Sequence, residues 1–189
     1  MEFRDALIRG DLAAVRSCPK ADLHNHFVLG GSRAFLRRHT GREIRPLNQP
    51  IHSMDEMHAW YARNLGASFE TPEGRLLLIR AAFAQAKEDG VTVLEIGEDV
   101  WGLDAFFHGD VEELVTAFET AHREIAPETE LRLQIGLSRH CEISYLEDWL
   151  SHFWGCKAFY SIDCTGTNWP SPSKTSDPST GGLRRKGSG

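Results

Sequence analysis

The chain has no apolar run near the roughly 20 residues that a membrane-spanning helix needs, so no spanning helix is expected. It has no excess of positive charge. Against 21 Lys and Arg stand 27 Asp and Glu, a net of −6. Without a basic footprint, neither nucleic acid nor an anionic membrane is an expected partner. Cys18, Cys141, Cys156 and Cys164 include no C-x-x-C pair, and three of them adjoin strand-like segments, where buried free thiols are common. A reduced, cytoplasmic protein is the simplest reading. The opening MEFRDALIRGDLAAVRS lacks the continuous apolar stretch of a signal peptide and reads as a short amphipathic helix within a lead-in over residues 1–20. At 189 residues the chain suffices for one packed domain but falls short of the roughly 250 of a complete (β/α)8 barrel.

What is present is alternation. ADLHNHFVL after Pro19, VTVLEIG (91–97), ELRLQIGLSRH (130–140) and CKAFYSIDCTG (156–166) read as strands. Helical signals separate them. SRAFLRRHTG has Ser32 as N-cap and Gly41 just past its end; a less regular stretch holds a helix near 53–65. The next helix is capped by Thr71, carries Pro72 in its first turn and stops at Gly90, with Leu76, Ile79, Phe83 and Ala86 as its apolar face. Residues 110–125 form another, with Asp110 as cap and acids in the first turn, and 144–155 a last one ending at Gly155. Strands separated by helices predict βαβ units, a parallel sheet and an α/β fold. After residue 167 the composition turns to Ser, Thr, Pro and Gly with almost no apolar residues, and 168–189 is expected to be a disordered tail.

His24 and His26 are the first chemical candidates. With nine histidines, about 0.4 H-x-H pairs arise by chance, so the pair alone says little. Geometry adds to it. Residues i and i+2 of a strand share a face, and two imidazoles on one face can converge on a divalent ion such as zinc. The bland alternative is two half-buried histidines bonded to backbone or water.

CPKADLHNHFVLGGS resembles the P-K-x-x-L-H-x-H opening of the adenosine deaminase family of metal-dependent amidohydrolases. TPEGRLLLIRAAFAQAKEDGVTVLEIG resembles that family's second helix and strand, LQIGLSRH its third strand, and SIDCTG its fourth, all in order over about 21–166. The resemblance implies the first half, β1–β4, of a (β/α)8 TIM-type amidohydrolase barrel spanning 21–167. It implies His24 and His26 as two ligands of one zinc ion, and Gly166 as a glycine whose backbone touches a purine. Asp163 on the fourth strand and His140 at the end of the third are weaker substrate-binding candidates. The implied reaction is zinc-dependent hydrolytic deamination of adenosine or a related aminopurine, with a purine nucleoside or base as partner.

The chain departs from that pattern. Val28 stands where the family has an Asp that helps hold ribose, and Gly97 where it often has Arg. No H-A-G-E, later His motif or Asp-Asp follows, so no catalytic residue is assigned and no turnover is expected of this chain alone. Back-translating the tail with freely chosen codons, and reading from the last base of the Thr167 codon, yields ELAQPIENFRSIYRRAKAEGL, apolar at helical spacing. The tail is therefore expected to be a shifted reading of a longer deaminase frame; an unshifted DNA sequence across codons 163–170 would refute this. Two other readings stay open. One is another metal-dependent hydrolase acting on an amide or ester. The other is a non-catalytic half barrel that self-associates through its open edges.

The remaining residues have structural readings. Glu95 is expected as a hydrogen-bond partner inside the second strand, and His122 as packing. Trp149, Phe153 and Trp154 are expected as core over the sheet, while Trp60, Tyr61 and Phe69 are either core or a pocket lid. The tail's LRRK reads as solvated charge.

Overall fold

A computed structural model describes residues 3–139 and 141–165. His140, Gly166 and the 168–189 tail lie outside the described residues, and so do the expectations attached to them. Among the described residues no helix is long and apolar enough to cross a membrane.

The chain opens with two short helices, α1 (Phe3–Arg9) and α2 (Leu12–Ser17). This corrects the single opening helix. Gly10 turns at φ +66, and the Asp11 side chain accepts from Ala14 N at 3.0 Å to start a new helix. Strand β1 (Lys20–Asn25) is shorter than its sequence suggested. His26 caps a one-turn helix, α3 (Phe27–Gly30), which buries Phe27. The apolar run FVL thus leaves the sheet and folds over its end.

Helix α4 (Arg33–Thr40) is capped by Ser32 and ends at left-handed Gly41; α5 (Met54–Asn64) follows, capped by Ser53. A 3-10 turn over Gly66–Phe69 then leads to α6 (Pro72–Asp89), the longest helix described. Thr71 Oγ1 accepts from Gly74 N at 3.0 Å, and Pro72 needs no amide partner in the first turn. Gly90 ends the helix at φ +71, where a Cβ would sit 1.9 Å from Arg16 O, so glycine is required on two counts. Helix α6 is buried on more than one side, through Leu78, Ile79, Ala81, Ala82, Phe83 and Ala86. Leu76, expected on its apolar face, is instead exposed.

Strand β2 (Val91–Asp99) runs two residues past the expected end and into α7 (Val100–Phe107), a helix without a sequence counterpart above. Helix α8 (Val111–Ile125) is capped by Asp110, whose Oδ1 accepts from Glu112 N and Glu113 N. Strand β3 (Glu130–Ser138), helix α9 (Ile143–Ser151) and strand β4 (Phe159–Thr165) complete the described elements.

The four strands form one parallel sheet in the order β1-β2-β3-β4, each beside its sequence neighbour. Leu94, Ile96, Leu133 and Ile135 are buried, and α6, α7 and α8 supply most of the other buried side chains. The opposite face is polar. Glu95 accepts from Gln134 Nε2 at 3.1 Å and from Ser161, and Gln134 Nε2 also donates to Ser161 Oγ at 3.1 Å. Glu95 thus has the structural partnership expected of it. His122 Nε2 lies 2.6 Å from Thr129 O and its ring leans on Phe83, so it packs as expected.

The sheet is strongly curled. Side chains of β1 and β4, three strands apart, meet at about hydrogen-bond distance across the concave side. That is the geometry of half a barrel. Gly97 marks how tightly the strands sit: a Cβ there would lie 1.8 Å from Gln134 O. An arginine, or any side chain, is excluded at this position, which accounts for the departure at residue 97. Of the expected aromatic cover, Phe153 is buried and Trp149 partly so, but Trp154 is 76% exposed and belongs to the surface. Phe69 is core, while Trp60 and Tyr61 are partly buried against it. Tyr160 and Ile162 of β4 are each 64% exposed, so the outer face of β4 lacks the cover that β2 and β3 have.

Candidate metal centre and adjoining pocket

His24 lies near the end of β1, and His26 at the cap of α3 keeps the two-residue spacing that turns both rings the same way. Their Nε2 atoms are 2.7 Å apart. Asp163, two residues beyond Ser161 on the concave side of β4, brings Oδ2 to 3.0 Å from His24 Nε2 and 3.2 Å from His26 Nε2. These three are the one such group of potential metal ligands among the described residues, with all ligand atoms within 4.8 Å of one another. Asn25, between the histidines, points elsewhere and donates from Nδ2 to Asp22 Oδ2 at 2.7 Å.

The chemistry of this cluster is unusual for a set of hydrogen bonds. Asp163 Oδ2 is buried, yet it has no aligned hydrogen-bond partner although two ring nitrogens stand within 3.2 Å. Three lone-pair-bearing atoms converge on one small space, with no proton shared between Asp163 and either ring in good geometry. Two imidazole nitrogens and a carboxylate oxygen are a suitable donor set for a divalent ion of the zinc type. The residues present therefore fit such an ion.

A cavity of about 1060 Å³ adjoins the cluster, with His24 and His26 on its lining. Helix α3 contributes Val28 and Leu29, α5 contributes Met57, His58 and Tyr61, and α7 contributes Trp101 and Phe106. Tyr61, which could be core or lid by sequence, is thus a wall residue. Burial pushes its phenol above the ordinary value, opposed by the nearby Arg75 charge, so it stays a neutral hydroxyl.

On the wall of the cavity lies one half of an ion pair invisible in the sequence. Arg75 of α6 donates from Nε and Nη2 to the two carboxylate oxygens of Glu98, both at 2.7 Å. Its guanidinium lies 4.8 Å from the Phe27 ring centroid, 5.1 Å from Trp101 and 4.6 Å from Phe106. Burial pushes the Glu98 carboxyl above its ordinary value, while Arg75 and the Asp99 amide pull it back. The pair ties α6 to the end of β2 and steadies Phe27, the residue next to His26. A buried acid at a strand end and an arginine in the first turn of a helix were the signals present, but nothing in spacing joins residues 75 and 98.

The chain is 25% identical over 151 residues to a protein of Treponema pallidum (strain Nichols) named "Putative adenosine/adenine deaminase", covering 80% of this chain and 50% of that protein. The chain therefore spans about half the length of the curated relative it matches. Over this stretch the chain is similar to that deaminase-named protein. No protein-family model matches it. Two solved structures share its fold. An amidohydrolase from Burkholderia ambifaria crystallised with bound zinc superposes with a TM-score of 0.58 at 16% identity, over 82% of this chain and 46% of its own. The adenine deaminase of Arthrobacter aurescens superposes with a TM-score of 0.51 at 17% identity, over 78% and 48%. These likenesses show the fold alone: the chain superposes on about half of each of the two structures, consistent with half of a TIM-type barrel.

Proposed function

We propose that His24, His26 and Asp163 hold one divalent metal ion, zinc, and that the site is the metal-bearing part of a hydrolytic deaminase for an aminated purine or related ring. The observation that carries this reading is the buried Asp163 oxygen, without an aligned partner, between two imidazole nitrogens. The deaminase-like relative and the zinc in the Burkholderia ambifaria amidohydrolase support it. A divalent ion supplies the Lewis acidity that makes water a nucleophile near neutral pH. In the overall reaction water adds at the ring carbon bearing the amino group, the C–N bond breaks, and ammonia leaves a ring carbonyl behind.

Each residue has a task in this proposal. The histidines contribute neutral ring nitrogens and Asp163 one negative charge. This assigns Asp163 to the metal more than to the substrate. The cavity formed by α3, α5 and α7 seats the ring. No proton donor for the leaving amino group is assigned among the three ligands, and we propose that this chain does not turn over by itself.

Metal analysis after dialysis tests the ligand set: about one zinc per chain is expected, and far below one counts against it. His24→Ala and His26→Ala should each lose the ion, and Asp163→Asn should weaken it by about tenfold or more, roughly 1.4 kcal/mol. Loss of adenosine absorbance, followed in the ultraviolet, tests turnover. Robust zinc-dependent deamination by the chain alone would overturn the proposed inactivity.

A further inference from the structure

The cavity beside the cluster is more selective than a generic ring site, and its selectivity follows from its charge and its lining. Its volume, about 1060 Å³, lies at the upper end of what small-molecule sites provide, far more than a bare heterocycle fills. Most of its wall is apolar, from Val28, Leu29, Met57, Tyr61, Trp101 and Phe106. The cation on that wall, Arg75, is already consumed by Glu98 through two hydrogen bonds and is 3% exposed in its side chain. Glu70 also lines the cavity and has no ion-pair partner among the described residues. Apart from the proposed metal ion, a phosphate or carboxylate entering here finds no lysine or unpaired arginine on the described lining and meets an acid. An apolar group finds aromatic and aliphatic surface and displaces water from it.

Resting on the metal-centred reading above, we propose that this cavity takes an uncharged apolar substituent carried by the aminated ring. The preferred ligand is then an aryl- or alkyl-substituted aminoheterocycle, and neither a nucleoside nor a nucleotide. Trp101 and Phe106 offer aromatic surface to an aryl group, and both rings are steadied by the Arg75 guanidinium at 5.1 and 4.6 Å from their centroids. Val28 and Leu29 carry the apolar wall up to the histidines.

Calorimetric titration of the zinc-loaded full chain with adenine, adenosine, AMP and 9-benzyladenine decides this. The benzyl compound should bind about tenfold or more tighter than adenosine, the gain expected from burying a phenyl ring, and AMP should bind weakest. Leu29→Asp, at a 43% exposed position, should abolish the preference by weakening 9-benzyladenine about tenfold more than it weakens adenine. Trp101→Ala should do the same. Adenosine or AMP binding as tightly as 9-benzyladenine overturns the inference, as does zinc-loaded protein that fails to bind the benzyl compound. A benzyl preference that persists after the metal is removed with EDTA, and is lost in Leu29→Asp, upholds the cavity's selectivity while removing the metal from ligand binding. The two readings therefore fail separately.

Discussion

Replacing Arg75 by methionine should destabilise the protein by about 3–5 kcal/mol at neutral pH, because it strands a buried carboxylate. The side chains of Arg75 and Glu98 are 3% and 2% exposed, so water cannot take the place of the lost partner. The substitution removes two 2.7 Å hydrogen bonds and three cation–ring contacts, leaving Glu98 with the Asp99 amide at 2.9 Å. Burial already pushes the Glu98 carboxyl up; without the guanidinium nothing of comparable strength opposes it. Its folded value then lies above its unfolded value. The sign follows: the variant is relatively most stable below the ordinary glutamate range and loses stability as pH rises through the raised folded value. Urea unfolding followed by tryptophan fluorescence, between about pH 5 and pH 8, reads this as a midpoint that falls with pH more steeply than in the parent. Arg75→Met with Glu98→Leu should recover most of the loss, since an apolar pair of similar size replaces both charges. A single-variant cost below about 1 kcal/mol, as for an exposed pair, would refute the reasoning. So would a double variant as unstable as the sum of its parts.

Three further outcomes follow from the fold. Gly97→Ala should cost about 3 kcal/mol, because its Cβ would lie 1.8 Å from Gln134 O and the strands must part; calorimetry should show Tm lower by about 6–12 °C. Thr71→Ala removes the acceptor for Gly74 N and should cost about 1 kcal/mol in urea unfolding, with Thr71→Ser keeping most of it. Tyr160→Lys combined with Ile162→Lys should reduce self-association seen by light scattering, since both residues lie on the uncovered face of β4.

Sequence order carried most of the fold because local chemistry marks most element ends. Ser32, Thr71 and Asp110 cap helices with side chains, and Gly41 and Gly90 end them in the left-handed conformation. Where such marks are absent the reading failed. Helix α7 has no side-chain cap from Asp99, and VWGLDAFF is apolar nearly all round, so no helical period shows. FVL after His26 is as suitable for a strand as for the single helical turn it forms, and tertiary packing of Phe27 decides between them. The site divides the same way. Two-residue spacing placed His24 and His26 together, whereas Asp163 was legible only as a polar site candidate on the fourth strand. Their meeting depends on the curl of the whole sheet, which no single segment encodes. The Arg75–Glu98 pair depends likewise on how α6 lies against β2.

Because each strand pairs with its predecessor in the chain, the sheet can grow in the order in which a ribosome delivers it. The contact from His24 and His26 to Asp163 is the exception. It joins the end of the first strand to the fourth, so in the folded chain it needs every intervening strand in place. An amide-exchange or metal-capture signal at these three residues would therefore time the end of assembly, whatever the site later does as chemistry.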